Sequence, residues 1–144
     1  MADKHTPQQR SYNMSQVKSK NTKPELMVRK FLFSQGFRYR LHDKKLPGKP
    51  DMVLPKYKTV IFVHGCFFHG HEGCKYATIP QTRTEWWQEK INGNRRRDGE
   101  NEARLSALGW RIITLYECEL KPAQREQTLQ RLGFRVADRS EALR

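Results

Sequence analysis

The chain has no long apolar run. No segment approaches the roughly 20 apolar residues of a membrane span, which argues against a transmembrane helix. Acidic residues are few: 15 Asp and Glu stand against 28 Lys and Arg, a formal net charge of +13 over 144 residues. An excess of that size repels itself on compaction unless a polyanion offsets it, and nucleic acid is the usual partner. No lone Lys/Arg tail accounts for it. Cysteine is sparse as well. An odd count of three, in a chain expected to be cytosolic, argues against a disulfide framework and leaves metal binding or a reactive thiol. The stretch Met1 to Lys20 lacks an apolar h-region, so no secretory signal is expected and the cytoplasm is the expected compartment. Internal repeats and low-complexity linkers are missing too, and the length suits one domain with one core.

What is present reads as an α/β order. Residues 1–21 are polar and basic, with Met14 and Val17 the main apolar points, and are expected to form an arm able to lie along a phosphate backbone. Residues 22–133 are expected to form the folded domain and 134–144 a loose tail. Thr22-Lys23-Pro24-Glu25 has the pattern of a capping box opening a helix that Gly36 ends. Phe37 to Leu41 alternates like a strand. Asp51 to Leu54 reads as a short strand. Thr59 to Val63 is β-branched and apolar, as a central buried strand should be. A second box, Thr82-Arg83-Thr84-Glu85, predicts a long helix stopping at Gly109. A strand over 110–116 and a helix over 123–132 follow. This order predicts a mixed sheet flanked by helices.

Two constellations carry chemistry. Cys66, His71 and Cys74 lie within nine residues, and Cys118 follows a strand. Together they use every cysteine and supply the four donors of a tetrahedral structural zinc site, with no open position for catalysis. The bland reading is scattered buried thiols and a surface histidine. The second constellation is His64, directly after the buried strand, with His69 nearby and Asp51 at the start of the preceding strand. If those strands pair as a hairpin, a carboxylate, a backbone carbonyl and an imidazole meet at one sheet edge. Phosphodiester hydrolysis needs such parts: oxygen ligands for a hard cation, a base for water, and a group for the developing phosphorane charge. Glu25 could orient water or a histidine. Plainer readings stay open: Asp51 accepting loop amides, Glu25 only capping, His69 supporting the zinc loop.

Certain blocks are also familiar. Leu46-Pro47-Gly48-Lys49-Pro50-Asp51, Val60-Ile61-Phe62-Val63-His64-Gly65-Cys66-Phe67-Phe68-His69-Gly70-His71, Thr82-Arg83-Thr84-Glu85-Trp86-Trp87 and Leu108-Gly109-Trp110-Arg111 resemble the very-short-patch repair endonucleases. The likeness runs from about Arg10 to Cys118. It implies a restriction-endonuclease-like fold and the nicking of one strand of duplex DNA at a T:G mismatch left by deaminated 5-methylcytosine. It implies Mg²⁺ for catalysis and Zn²⁺ for structure. By matching position, Asp51 and the Val63 carbonyl would bind Mg²⁺ and His69 would be the general base. His64 would act on the phosphate or leaving-group side, with Glu25 in support. Cys66, His71, Cys74 and Cys118 would be the zinc ligands. Phe67, Phe68 and Trp87 would form an aromatic wedge, met by Met14 from the minor-groove side. This chain has Val63 where threonine is usual, and Phe68 where tryptophan is usual. Mismatched duplex is the expected partner, with mismatch repair proteins beyond it. A monomer is expected, since cutting one strand needs no second subunit. The competing classes are a non-catalytic zinc-containing DNA-binding module, a plain zinc-stabilised interaction domain and a restriction-type nuclease cutting intact sites.

Overall fold

The structure, a computed structural model, describes residues 21–138. The basic arm and Met14 lie outside the described residues. Helix α1, Lys23–Ser34, begins where expected: the Thr22 hydroxyl accepts the Glu25 N–H at 3.3 Å. The return half of the box differs, because the Glu25 carboxylate takes the N–H of Asn21 at 3.2 Å rather than that of Thr22.

Among the described residues the sheet has four strands, in the order β1 (Arg40–Leu41), β2 (Met52–Leu54), β3 (Thr59–His64) and β4 (Arg111–Tyr116). The β1–β2 and β2–β3 pairs are antiparallel and β3–β4 is parallel, so the sheet is mixed as expected. The β3-to-β4 crossover carries helix α2, Thr84–Ala107. Helix α3, Arg125–Ala137, closes the fold.

The pleat sorts the core onto two faces. Ile61 of β3 joins Val28 and Leu32 of α1 and Leu132 and Val136 of α3, all buried, on one face. Val60 and Phe62 join Val53 and Leu105 of α2 on the other. A central strand covered on both sides must be apolar throughout, which is why 59–63 reads as a continuous β-branched run. Full burial of each such side chain contributes about 1.5–3 kcal/mol.

Three boundaries differ from expectation. Only Arg40 and Leu41 of the 37–41 segment join the ladder. Its other side chains are committed elsewhere: Phe37 packs edge-on to Tyr57 at 5.3 Å, Arg38 lies 4.0 Å over Phe33, and the Tyr39 hydroxyl donates to the Arg29 carbonyl at 2.9 Å. The box at 82–85 does not form. Arg83, with φ +56°, holds the cap position, and the Thr84 hydroxyl instead donates to the carbonyls of Pro80 and Gln81. Helix α3 runs past the helix end expected at 132, because Val136 is fully buried against the sheet.

Candidate active site and metal centre

The β2–β3 hairpin places the chemistry. With Met52 opposite Ile61, Asp51 falls opposite the end of β3, and its Oδ2 accepts the Val63 N–H at 2.7 Å. The N–H and C=O of one strand residue point to the same side. The Val63 carbonyl therefore faces the Asp51 side too. Two residues on from Phe62, the His64 side chain stays on the α2 face, its ring 5.5 Å from the Phe62 ring.

His64 stacks on His69 with ring centroids 3.6 Å apart and planes within 2°. His69 Nδ1 lies 2.7 Å from Oδ2 of Asp98 on α2. A carboxylate only accepts, so Nδ1 carries a proton, which makes Nε2 the acceptor of the neutral ring. Sequence reasoning missed Asp98. The available signal was the spacing of Asn94, Asp98, Asn101 and Glu102, which share one face of a helix at intervals of about four.

Burial and the neighbouring His69 push the His64 imidazole down to about 4, so it is neutral at neutral pH. Its Nδ1 is buried with no hydrogen-bond partner among the described residues. Burial pushes the Asp51 carboxyl up to about 7, against the lowering pull of the Val63 N–H and with the neighbouring Glu25 adding to the rise. Glu25 is 1% exposed and accepts from Arg29 Nη1 at 3.0 Å and from His42 Nε2 at 3.1 and 3.0 Å. His42, without a role in the sequence reading, thus joins Glu25 and Asp51. A cavity of about 480 Å³ is lined by His42, Asp51, Val63, His64, His69 and Asp98, among others.

The sulfurs of Cys66, Cys74 and Cys118 and a ring nitrogen of His71 all lie within 4.8 Å of one another. Cys118 Sγ is 3.4 Å from His71 Nδ1, close to the roughly 3.5 Å edge of a tetrahedron built on ordinary Zn–S and Zn–N bonds. The Cys118 N–H donates to Cys66 Sγ at 3.4 Å, and the His71 ring is stacked on Tyr116 at 3.8 Å. Burial pushes the Cys66 thiol up to about 12, a shift that a divalent cation at its sulfur would reverse. The donor set fits zinc. For a hard cation, the Asp51 carboxylate and the Val63 carbonyl are the fitting oxygens, beside a cavity roomy enough for its waters.

Phe67, Phe68 and Trp87 also meet. Phe67 lies 5.1 Å from Phe68 and 5.1 Å from Trp87, both edge-on. Trp86 is 43% exposed while Trp87 is half-buried, the one-out arrangement expected of helix neighbours about 100° apart. The Phe68 carbonyl accepts from Asn94 Nδ2 at 2.8 Å, tying the loop to α2.

Residues 2–75 match the family model described as DNA mismatch endonuclease Vsr. The chain is 50% identical over 139 residues to the type II nicking enzyme V.NmeAIP of Neisseria meningitidis serogroup A, covering 96% of this chain and 99% of that one. It is 52% identical over 120 residues to the type II nicking enzyme V.XorIIP of Xanthomonas oryzae pv. oryzae, covering 83% and 88%. It is 44% identical over 121 residues to the DNA mismatch endonuclease Vsr of Escherichia coli K12, covering 84% and 77%. These relatives place the protein among the DNA endonucleases. It belongs to the Vsr family of very-short-patch repair endonucleases.

Proposed function

We propose that this protein nicks one strand of duplex DNA at a T:G mismatch, by Mg²⁺-dependent phosphodiester hydrolysis on a restriction-endonuclease-like fold, and so initiates repair of deaminated 5-methylcytosine. One observation carries the reading: Asp51, the Val63 main chain and the His69–Asp98 pair face one cavity. The Asp51 carboxylate and Val63 carbonyl would hold Mg²⁺, which supplies charge for the phosphate and a more acidic water. His69 accepts the proton of the attacking water at Nε2, while Asp98 fixes its tautomer and steadies the imidazolium that results. His64, neutral and stacked on His69, donates toward the phosphate or leaving oxygen. Glu25 supports Asp51 from the buried side. Val63 lacks a hydroxyl but keeps the carbonyl this role needs.

Cys66, His71, Cys74 and Cys118 would hold a structural Zn²⁺, keeping rigid the loop that carries both His69 and the aromatic cluster. Phe67, Phe68 and Trp87 would enter the stack beside the mismatch, with Met14 of the arm on the minor-groove side. Unstacking costs a few kcal/mol per step and least at a mismatched one, which favours mismatched over paired duplex. The protein would act as a monomer at the nucleoid, alongside mismatch repair proteins.

The test is a labelled duplex with one T:G mismatch beside its fully paired twin, each with Mg²⁺. A nick in one strand of the mismatched duplex alone is expected. Cleavage of both strands of the twin would instead favour a restriction-type nuclease. Binding without cleavage would favour a non-catalytic DNA-binding module.

A further inference from the structure

We propose that His42 is a positioning residue of the nicking reaction, holding Glu25 in place beside Asp51. The inference rests on the reading of Asp51 given above. It starts from the backbone. His42 follows β1 with φ +48°, a region few non-glycine residues enter. Its N–H donates to the Asp51 carbonyl at 3.2 Å. The main chain of His42 is therefore tied to the residue whose side chain the reaction needs. Backbone held in this way marks a place the surrounding structure over-determines, and such places cluster at functional sites.

The side chain then turns to Glu25. The Nε2–H is shared between both carboxylate oxygens, at 3.1 and 3.0 Å. Arg29 takes Oε2 and the Asn21 N–H takes Oε1, both from the α1 end. Of these donors, His42 lines the cavity. Ligand atoms of Glu25, His42 and Asp51 all lie within 4.8 Å of one another. Two carboxylates that close repel, and the buried one stays put only if its lone pairs are occupied. Without the His42 donor, Glu25 keeps only its partners at the α1 end and loses the one on the cavity side, so its carboxylate can shift toward Asp51 and the space where a cation and its water must sit. Residues one step behind a metal ligand typically change affinity or activity by 10–100-fold when lost.

A purely structural tie between α1 and β1 would use the same bonds, so the test must separate the two. Single-turnover nicking of a T:G duplex at saturating Mg²⁺ is measured for the full-length protein and for His42→Ala, His42→Gln, Glu25→Gln and the Glu25→Gln/His42→Ala pair. His42→Ala is expected to nick about 10-fold or more slowly, with DNA affinity unchanged. His42→Gln, which keeps an N–H donor, should recover most of the rate. In the Glu25→Gln background, His42→Ala should cost nothing further, as for residues acting through one another. His42→Leu fills the ring's volume without a donor, and stands in if the alanine variant does not fold. Comparison of His42→Leu with His42→Gln decides the matter even where Glu25→Gln is too slow to read. Wild-type rate in His42→Ala, equal loss in His42→Gln and His42→Leu, or multiplying losses in the double variant would each overturn the proposal. An Asp51→Ala protein that still nicks would overturn the underlying reading instead.

Discussion

At the scale of single residues, the site holds its groups in protonation states that burial sets. For Asp51 the folded-state pKa, about 7, lies above the ordinary carboxyl value of 3.8. Its protonated form is favoured by folding, so the stability it contributes is complete below about 3.8 and is lost as pH rises through about 7. His64 runs the other way: with a folded value of about 4 against 6.5, it adds stability that falls away as pH drops through that window. The two trends oppose each other in the wild type, so the informative quantity is a difference between proteins. Asp51→Asn, free of the burden of a buried charge yet still able to accept the Val63 N–H, should be more stable than wild type by about 2 kcal/mol at pH 7.5 without divalent cations. The gap should close toward pH 4, and chemical denaturation at both pH values reads it. Asp98→Asn should leave the fold intact but lower kcat about 100-fold or more, since an amide can hold His69 in the wrong tautomer. Steady-state nicking with kcat and KM separated checks this.

At the scale of elements, the loop between β3 and α2 is the part that everything else serves. Its turns are closed by short main-chain bonds, including His69 N–H to the Gly65 carbonyl at 3.2 Å and His71 N–H to the Cys66 carbonyl at 2.9 Å. Gly70, at φ +57°, leaves no room for a side chain: a Cβ there would lie 2.6 Å from Ile91 Cγ2 and 2.7 Å from Arg95 Cδ. Gly70→Ala should cost about 1–3 kcal/mol and displace His69 from Asp98, lowering both the melting temperature and the nicking rate. This scale also separates what could be read beforehand from what could not. The Asp51–Val63 meeting was legible because a β-branched run and a short strand separated by a Pro-Lys turn leave few alternatives to a hairpin. Cys66, His71 and Cys74 were legible because short-range spacing reports local turns, and Cys118 because it is the remaining cysteine and follows a strand. Asp98 was harder to read: the spacing of Asn94, Asp98, Asn101 and Glu102 marks a helix face but not which of its carboxylates meets a histidine 29 positions earlier. Glu25 was legible in part. Its pattern gave the Thr22 half of the capping box, while its carboxylate binds the Asn21 N–H and Arg29 locally and His42 across the fold, a partner that the local pattern does not name.

At the scale of the whole molecule, a basic chain of net charge +13 rests on a small two-faced core and a loop that the four zinc-type donors tie to the end of β4. Metal binding there would be folding free energy. A chelator strong enough to strip zinc should therefore lower the melting temperature and abolish nicking, even with Mg²⁺ supplied afterwards, and added Zn²⁺ should restore both. Cys118→Ser should show the same loss without chelator. Differential scanning calorimetry with metal analysis checks this; a Cys118→Ser protein that keeps one zinc per chain and the wild-type melting temperature would remove Cys118 from the ligand set.

The proposed reaction has one acidic side chain at the end of the hairpin and one carboxylate-paired imidazole acting on a single phosphate. Its most direct measurement is the single-turnover rate of strand nicking on a T:G duplex with Mg²⁺, for wild type and Asp51→Asn side by side. One strand cut by the wild type, with no cut by a folded Asp51→Asn protein that still binds the duplex, is the predicted result. Nicking by Asp51→Asn at the wild-type rate would contradict it.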